Sequence, residues 1–240
     1  MKTKQGIREG IWNLLQKEKV ARFPGAEGRI PNFIGAEACA RVLAEAPFWK
    51  KAKVLKSNPD SPQRAVRQRA LEEGKIIYMA VPRLLSEKPF LELDPKRIQC
   101  TPYVASSIKG AAQYGRPVRL DEVRSIDLIV CGSVAVNRQG ARVGKGGGYS
   151  DLEFALLTEE QKIAPKTPIV TSVHPLQIVA EEIPMTDHDI PLTAITTPQA
   201  IIEIESSWPR PKGIYWNMLP QEKIDDVPVL KRRKVRIESA

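Results

Sequence analysis

The chain has 240 residues, a length that suits one domain or a domain with a small appendage, so two full domains are not expected. Apolar residues make up 42%, which excludes a wholly disordered protein, and no apolar run approaches the roughly 18 residues of a membrane-spanning helix. Lysine and arginine number 37 against 28 aspartates and glutamates, for a net charge of +9. The excess lies in residues 1–75 and 231–240, and it favours a nucleic acid or an anionic small molecule as partner.

The N-terminal sequence and the cysteines indicate a compartment. An amphipathic segment follows MKTKQGIREG in place of a continuous apolar signal core. Cys39, Cys100 and Cys131 are scattered, with neither CxxC spacing nor a histidine pair to complete a zinc site. We therefore expect a cytoplasmic protein with reduced thiols and without a membrane partner.

Helical and strand patterns alternate along the chain. Helices are predicted over 3–18, 35–46, 62–73 and 150–160 and from Pro198 onward; strands are predicted over 52–55, 75–81, 125–136, 168–173 and 193–196. In the first helix, Lys4 and Arg8 share a polar stripe one turn apart. Alternation of this kind predicts an α/β domain with a mostly parallel sheet and helices on both faces.

A glycine-rich stretch over 140–151 is the most informative motif. It does not fit a Walker A loop, because three residues separate Gly140 from Gly144 and a glycine follows Lys145. It also fails the dinucleotide fingerprint, since Tyr149 stands where the third glycine is needed. A strand, consecutive glycines beside a lysine and then a helix nevertheless build an anion site from backbone N–H groups and one full charge. A flexible surface turn is the alternative.

Four segments together resemble one family. DLIVCGSVAVNRQGARVGKGGGYSDLEFALL is similar to the signature of the 5-formyltetrahydrofolate cyclo-ligases, or methenyltetrahydrofolate synthetases, in which a buried strand leads to G-x-G-G-G-Y-x-D. PIVTSVHPLQIVAEEIPMTDHDIPLTAITT, KQGIR at the N-terminus and ALEEGKIIYMAVPRL resemble further family segments in the same order. The resemblance covers roughly residues 2–200 and implies a three-layer, Rossmann-like domain. We expect that domain over 1–205, with a C-terminal extension and basic tail over 206–240.

This sequence departs from the family pattern on the substrate side. Tyr149 is followed by Ser150, Asp151 and Leu152, where the family has a second Tyr and then Asp-Arg. The family's folate-side glutamate falls on Asp60, whose side chain is one methylene shorter. These departures and the extension are most similar to the methenyltetrahydrofolate synthetase domain-containing branch.

The resemblance implies an ATP- and Mg²⁺-dependent ring closure of 5-formyltetrahydrofolate to 5,10-methenyltetrahydrofolate, with release of ADP and phosphate. Lys145, Lys4 and Arg8 are then the catalytic cations, Asp60 and Tyr149 contact the folate, and Asp151 and Asp189 bind Mg²⁺. The predicted ATP-binding set is Lys4, Arg8, Gly144, Lys145, Gly146, Gly147, Gly148 and Tyr149.

Each of these residues has a structural alternative. Lys4 and Arg8 could form a solvated helix face, Asp151 could cap a helix, and Asp60 could be an ordinary turn residue. The chain could also be a cyclo-ligase-like ATP-binding protein with another substrate, or a nucleic-acid-binding module. Aromatic residues are only 6%, and no stacking motif for single strands is present, which argues against the last alternative. A folate substrate and a monomer or homodimer are expected.

Overall fold

The computed structural model describes residues 2–239. Its α-helices are α1 (Lys4–Lys17), α2 (Ala36–Ala44), α3 (Pro47–Lys51), α4 (Arg64–Glu72), α5 (Pro102–Ala105), α6 (Ile108–Tyr114), α7 (Tyr149–Glu159), α8 (Gln221–Asp226) and α9 (Pro228–Glu238). Its strands are β1 (Val54–Ser57), β2 (Ile76–Ala80), β3 (Phe90–Leu93), β4 (Arg116–Val118), β5 (Leu128–Cys131), β6 (Ala135–Val136), β7 (Arg142–Val143), β8 (Ile169–Ser172), β9 (Ala194–Thr196) and β10 (Ile201–Glu203). No helix within these residues is both long and apolar enough to cross a membrane.

A sheet of eight strands forms the middle layer, in the order β10-β9-β8-β5-β1-β2-β3-β4. The central strands β9, β8, β5, β1 and β2 pair in parallel, while β10, β3 and β4 pair antiparallel at the two edges. The chain continues from β1 to β2 on one side, and from β5 to β8 and β9 on the other. The strand order therefore reverses between β1 and β5, and the predicted mostly parallel α/β fold is confirmed.

Helices cover both faces of the sheet because its central strands are apolar on both sides. In β5, Leu128 and Val130 pack into the cluster that contains the apolar residues of α2 and α4. Ile129 and Cys131 of the same strand join the opposite cluster with α7, α8 and α9. Successive side chains of a strand point to opposite faces, so a continuous apolar run of this kind produces a sheet buried on both sides.

A smaller apolar cluster fixes α1 beside the glycine-rich stretch. Ile7, Ile11 and Leu15 of α1 are buried against Ala135 and Val143 of the β6-β7 hairpin. From the polar stripe of the same helix, Arg8 contacts the segment that follows β7 and Lys4 contacts Asp189. Thr3 caps the helix by accepting a hydrogen bond from the backbone N–H of Gly6.

The structure corrects one predicted element. A helix was expected from Pro198, but the chain turns at Thr197, whose Oγ1 accepts hydrogen bonds from the N–H groups of Gln199 and Ala200. It then forms β10, in which Ile201 pairs with Thr196 of β9. Two adjacent β-branched isoleucines favour a strand over a helix, and the hydroxyl-capped turn gives the chain a tight reversal.

The sequence pattern predicts no element over 82–124, and this segment contains β3, β4, α5 and α6. The extension, residues 206–240, forms α8 and α9 in its described part, and Ile224, Val227 and Leu230 are buried in the same cluster as α7. It therefore packs closely on the α/β domain.

Candidate functional site

A cavity of about 590 Å³ opens where the strand order reverses. Its wall includes Asn58 after β1, Pro82 after β2 and Gly132 after β5. These three strands are parallel, so their carboxyl ends meet at the same edge of the sheet. Open α/β sheets bind their ligands in the crevice at such a switch point. The glycine-rich loop 144–148 lines the same cavity.

The glycine loop is held in a conformation that other residues would adopt only with strain. Gly146 and Gly148 have φ of 107° and 65°, in the left-handed region that favours glycine. Gly148 is also the residue that precedes the first turn of α7, so the free N–H groups of that helix begin at the loop. A loop of this shape at a helix N-terminus attracts anions.

Arg8 fixes the loop from the side of α1. Its Nε donates a hydrogen bond to the carbonyl oxygen of Gly144 at 2.7 Å, and its guanidinium lies close to Gly146. Burial lowers the pKa of Arg8, an effect opposed by the charge of Asp189. The predicted association of Arg8 with the glycine loop is therefore present as a direct contact.

Lys4, one turn before Arg8 on α1, has a carboxylate partner. Its Nζ lies 2.5 Å from Oδ2 of Asp189, which also accepts hydrogen bonds from the backbone and hydroxyl of Thr186. Burial acts against the charge of Asp189, but the hydrogen bonds from Lys4 and Thr186 outweigh it, and the pKa of this carboxyl is lowered. Asp189 does not line the cavity.

Lys145 is the exposed cation of the loop. Its side chain lines the cavity, and within residues 2–239 it makes neither a hydrogen bond nor an ion pair with a protein group. Several neighbouring cations oppose the rise in the pKa of Asp60, and Lys145 has the largest effect among them. Lys145 is therefore available to an anionic ligand without breaking an existing pair.

Asp60 lies at the end of β1 on the wall of the cavity. Burial raises the pKa of its carboxyl, and the charges of Lys145 and Arg67 act in the opposite direction. Its Oδ2 approaches the backbone of Gly132 so closely that a Cβ there would lie 2.7 Å away. Gly132 thus leaves room for the carboxylate, and any larger residue would displace it.

Asp151 lies in the first turn of α7 and also lines the cavity. Its Oδ1 accepts a hydrogen bond from Nη2 of Arg142 at 2.8 Å and a longer one from the N–H of Ile190. Burial acts to lower the pKa of Arg142, but the negative charge of Asp151 outweighs burial, and the pKa is raised. This ion pair joins β7, before the loop, to α7, after it.

The donor set bears on the predicted Mg²⁺ site. Each of Asp151 and Asp189 has one carboxylate oxygen engaged by a cation, and no cluster of three acidic, histidine or cysteine side chains occurs in the described part of the chain. Mg²⁺ commonly takes only one or two carboxylates and completes its shell with water and phosphate oxygens. Asp151 lines the cavity and Asp189 does not, so Asp151 fits that demand better.

Tyr149 lies between the loop and the extension. Its ring is in contact range of Gly147, and Nζ of Lys223 from α8 lies 4.7 Å from the ring centroid. The same ammonium donates a hydrogen bond to the carbonyl oxygen of Gly147 at 2.5 Å. No sequence pattern predicts this contact between the extension and the loop.

A buried ion pair at the cavity was also missed. Lys56 and Glu153 contact each other with side chains that are 1% and 5% exposed, and Asn58 donates a hydrogen bond to the same carboxylate. Burial raises the pKa of Glu153, and Lys56 opposes the rise. Lys56 lies in β1 and Glu153 in α7, 97 positions further along the chain. No local sequence pattern can indicate a pair between residues so far apart.

Comparison with known proteins shows the family of the chain. The family model of the 5-formyltetrahydrofolate cyclo-ligases matches residues 1–198. Methenyltetrahydrofolate synthase domain-containing proteins are 36% identical in Bos taurus and 33% identical in Homo sapiens, each alignment covering 99% of this chain. The chain spans 63% of the length of these relatives.

The solution structure of an Aquifex aeolicus 5,10-methenyltetrahydrofolate synthetase has a similar fold. It superimposes with a TM-score of 0.54 at 19% identity, and the match covers 90% of this chain and 99% of that one. The family model accounts for the resemblance in the N-terminal four fifths of the sequence. The chain belongs to the 5-formyltetrahydrofolate cyclo-ligase family.

Proposed function

We propose that this chain binds ATP at the glycine loop and closes the ring of 5-formyltetrahydrofolate to give 5,10-methenyltetrahydrofolate, ADP and phosphate. The observation that carries the proposal is the loop 144–148 itself. It lies at the topological switch point with Lys145 unpaired among the described residues and Arg8 bound to its first carbonyl. Family membership supports the same reaction class.

The reaction asks the protein to hold two anions and to stabilise charge on the transferred phosphoryl group. In the proposed reaction the formyl oxygen attacks the γ-phosphate, and N10 then captures the activated carbon. Phosphoryl transfer depends mainly on positioning and on cations and N–H donors around the phosphate oxygens. Lys145 and the N–H groups at the start of α7 supply these donors, and Arg8 keeps the loop in place.

Asp60 is proposed to bind the pterin ring. A carboxyl group held at the cavity wall can accept hydrogen bonds from the ring N–H groups, and its raised pKa reflects a poorly hydrated position that a ring would fill. Tyr149, whose ring lies beside the loop, is proposed to pack against the folate. The space near Asp60 is bounded by the backbone of Gly132.

Two of the predicted roles are proposed in modified form. We assign Mg²⁺ binding to Asp151, which would hold an ion that neutralises phosphate oxygens when it is present. Asp189 is proposed to orient Lys4, because the ion pair between them is short and fixes the ammonium of a residue that lies one helical turn from Arg8 on α1. In this arrangement the ammonium group of Lys4 contacts the phosphates only if the bound ligand displaces it from Asp189.

The net charge of +9 and the basic tail are the features that suggest a nucleic-acid partner. Arg232 pairs with Glu87, and Arg233 pairs with Glu159 and Glu160, so part of the tail's charge is used within the chain. We therefore favour a nucleotide over a nucleic acid. Residues 1–205 are proposed as the catalytic domain, with the extension packed onto it.

Two measurements test the proposal. Purified protein with 5-formyltetrahydrofolate and MgATP should form methenyltetrahydrofolate, followed by its absorbance, and omission of ATP should abolish the signal. MgATP should also raise the melting temperature, while oligonucleotides at moderate salt should not. Stabilisation by ATP without turnover of any folate would leave a nucleotide-binding protein with another substrate, and stabilisation by oligonucleotides alone would contradict the proposal.

A further inference from the structure

The extension lies outside the stretch matched by the family model, which ends at residue 198. Its helices α8 and α9 are nevertheless part of the main core, because Ile224, Val229 and Leu230 are buried in the cluster that contains α7. Val227, at the junction of the two helices, is fully buried as well. The segment is thus fixed relative to the glycine loop.

Ion pairs hold α9 to the far end of α7. Arg233 contacts the carboxylates of Glu159 and Glu160, which lie at the last turn of α7, and all three side chains are less than a third exposed. Glu159 also accepts a hydrogen bond from the backbone N–H of Ile214 in the extension. The extension therefore contacts α7 at its C-terminal end as well as at the glycine loop.

At the other end of α7, Lys223 reaches the loop. Its ammonium donates to the carbonyl oxygen of Gly147 and lies over the ring of Tyr149. A Cβ at Gly148 would be 3.3 Å from the same nitrogen. Gly147, Gly148 and Tyr149 all line the cavity, so one side chain of the extension contacts two residues of its wall and lies beside the glycine between them.

This contact determines how the loop presents its donors. In a planar trans peptide, the carbonyl and the following N–H point in opposite directions. A cation that fixes the Gly147 carbonyl therefore also fixes the direction of the Gly148 N–H, on the wall of the cavity. Glycines alone leave this peptide free to rotate, since both of its flanking residues tolerate either sign of φ.

We propose that Lys223 is a positioning residue of the phosphate site, which holds the Gly147–Gly148 peptide in the anion-binding orientation, so that the extension forms part of the site. The inference rests on the proposed function insofar as the anion is the triphosphate of ATP. It requires only that the loop binds a polyphosphate, which can be tested apart from folate turnover.

The test compares Lys223→Met, Lys223→Arg and the matched control Lys231→Met in the full chain. Lys231 lies one helix further on, is exposed, and has no ion-pair partner in the described part of the chain. Binding of MgATP and of inorganic tripolyphosphate is measured by calorimetry, and folate turnover by absorbance. Lys223→Met should weaken both ligands about tenfold, the order expected for losing one charge-assisted contact. Lys223→Arg should restore most of the binding, and Lys231→Met should bind as wild type.

Kinetics separate positioning from mere packing. For Lys223→Met, KM for ATP should rise about tenfold while KM for the folate stays within twofold of wild type. Wild-type affinity in Lys223→Met overturns the inference. The inference is also overturned if the Met and Arg variants lose affinity equally and their ligand-free melting temperatures fall equally. If wild type fails to bind ATP but binds tripolyphosphate, the proposed function fails and the tripolyphosphate arm still decides the inference. If wild type binds neither ligand, both are overturned.

Discussion

Arg142 and Asp151 form an ion pair that closes the base of the glycine loop. Arg142 lies in β7, just before the loop, and Asp151 lies in the first turn of α7, just after it. Nη2 of Arg142 is 2.8 Å from Oδ1 of Asp151. The two side chains are 4% and 13% exposed, so the pair is shielded from water. The arginine also donates to the carbonyl oxygen of Gly132, which ties the loop to the end of β5.

Replacing Arg142 with methionine should cost about 3–5 kcal/mol of unfolding free energy, the range for breaking a buried pair and leaving one charge without its partner. Urea denaturation measures this cost. The control is Arg119→Met, which removes the surface pairs of this exposed arginine with Asp121 and Glu122 and should cost less than about 1 kcal/mol. Equal losses in the two variants would show that the pair at the base of the loop is no stronger than a surface contact.

Lys145→Ala should weaken MgATP binding by about 1–3 kcal/mol, because a charge-assisted hydrogen bond to phosphate is lost. The unfolding free energy should remain within about 0.5 kcal/mol of wild type, since Lys145 is exposed and makes no contact that the fold needs. Lys17→Ala, an exposed lysine at the far end of α1, is the matched control. Unchanged nucleotide affinity in Lys145→Ala would remove the loop lysine from the site.

The ion pair of Lys4 and Asp189 should make stability depend on pH. Because its folded pKa is lowered, ionised Asp189 contributes stability that is present above the unfolded pKa of about 3.9 and is lost as pH falls through the folded value. Asp189→Asn should therefore lower stability at pH 7 and reduce the loss of stability on acidification. Denaturant titrations from pH 7 to pH 3 measure both effects.

The Mg²⁺ dependence of ATP binding distinguishes a ligand from an orienting residue. Asp151→Asn should raise the Mg²⁺ concentration needed for half-maximal ATP binding, whereas Asp189→Asn should leave it unchanged and weaken ATP binding through Lys4. A larger Mg²⁺ shift in Asp189→Asn than in Asp151→Asn would restore the buried aspartate as the metal ligand.

The parts of the site that lie close in sequence could be predicted from sequence. Lys4 and Arg8 are one turn apart on a helix with a clear apolar stripe, and the glycines at 144–148 stand between a strand and a helix, so local periodicity and glycine content sufficed. The order of four family segments then indicated the fold. Which partner each charged side chain takes could not be read in this way.

The missed contacts are all between distant segments. The pair of Lys4 with Asp189 joins residues 185 positions apart, and an acidic residue carries no sequence signal of so distant a partner. Lys223 contacts Gly147 because α8 and α9 pack on the same face of the sheet as α7. The charged residues of α9 dominate its sequence, so its few buried apolar residues give no clear amphipathic pattern. Charged residues are rarely expected inside, so the Lys56–Glu153 pair had no sequence signal.

Asp60 is the proposed folate-binding acid, one methylene shorter than the glutamate of the family. Its folded pKa is raised by burial, so the folded state holds more protons than the unfolded chain between about pH 3.9 and the folded value. Stability therefore falls as pH rises through that window and stays lower above it. Asp60→Asn should remove this fall and stabilise the ligand-free protein at pH 7 by about 0.5–2 kcal/mol, as is common where a functional residue is replaced.

The same position should show opposite effects on stability and on folate. Asp60→Asn and Asp60→Ala should retain MgATP binding but reduce kcat/KM for 5-formyltetrahydrofolate by about 100-fold, because misplacement by about 1 Å costs two orders of magnitude in rate. Asp60→Glu tests the length of the acid: its carboxylate would reach further into the cavity from the end of β1, and turnover should be equal to wild type or higher. If wild type binds ATP but turns over no folate, and Asp60→Glu does not restore activity, then the chain retains the family's nucleotide site without its folate chemistry.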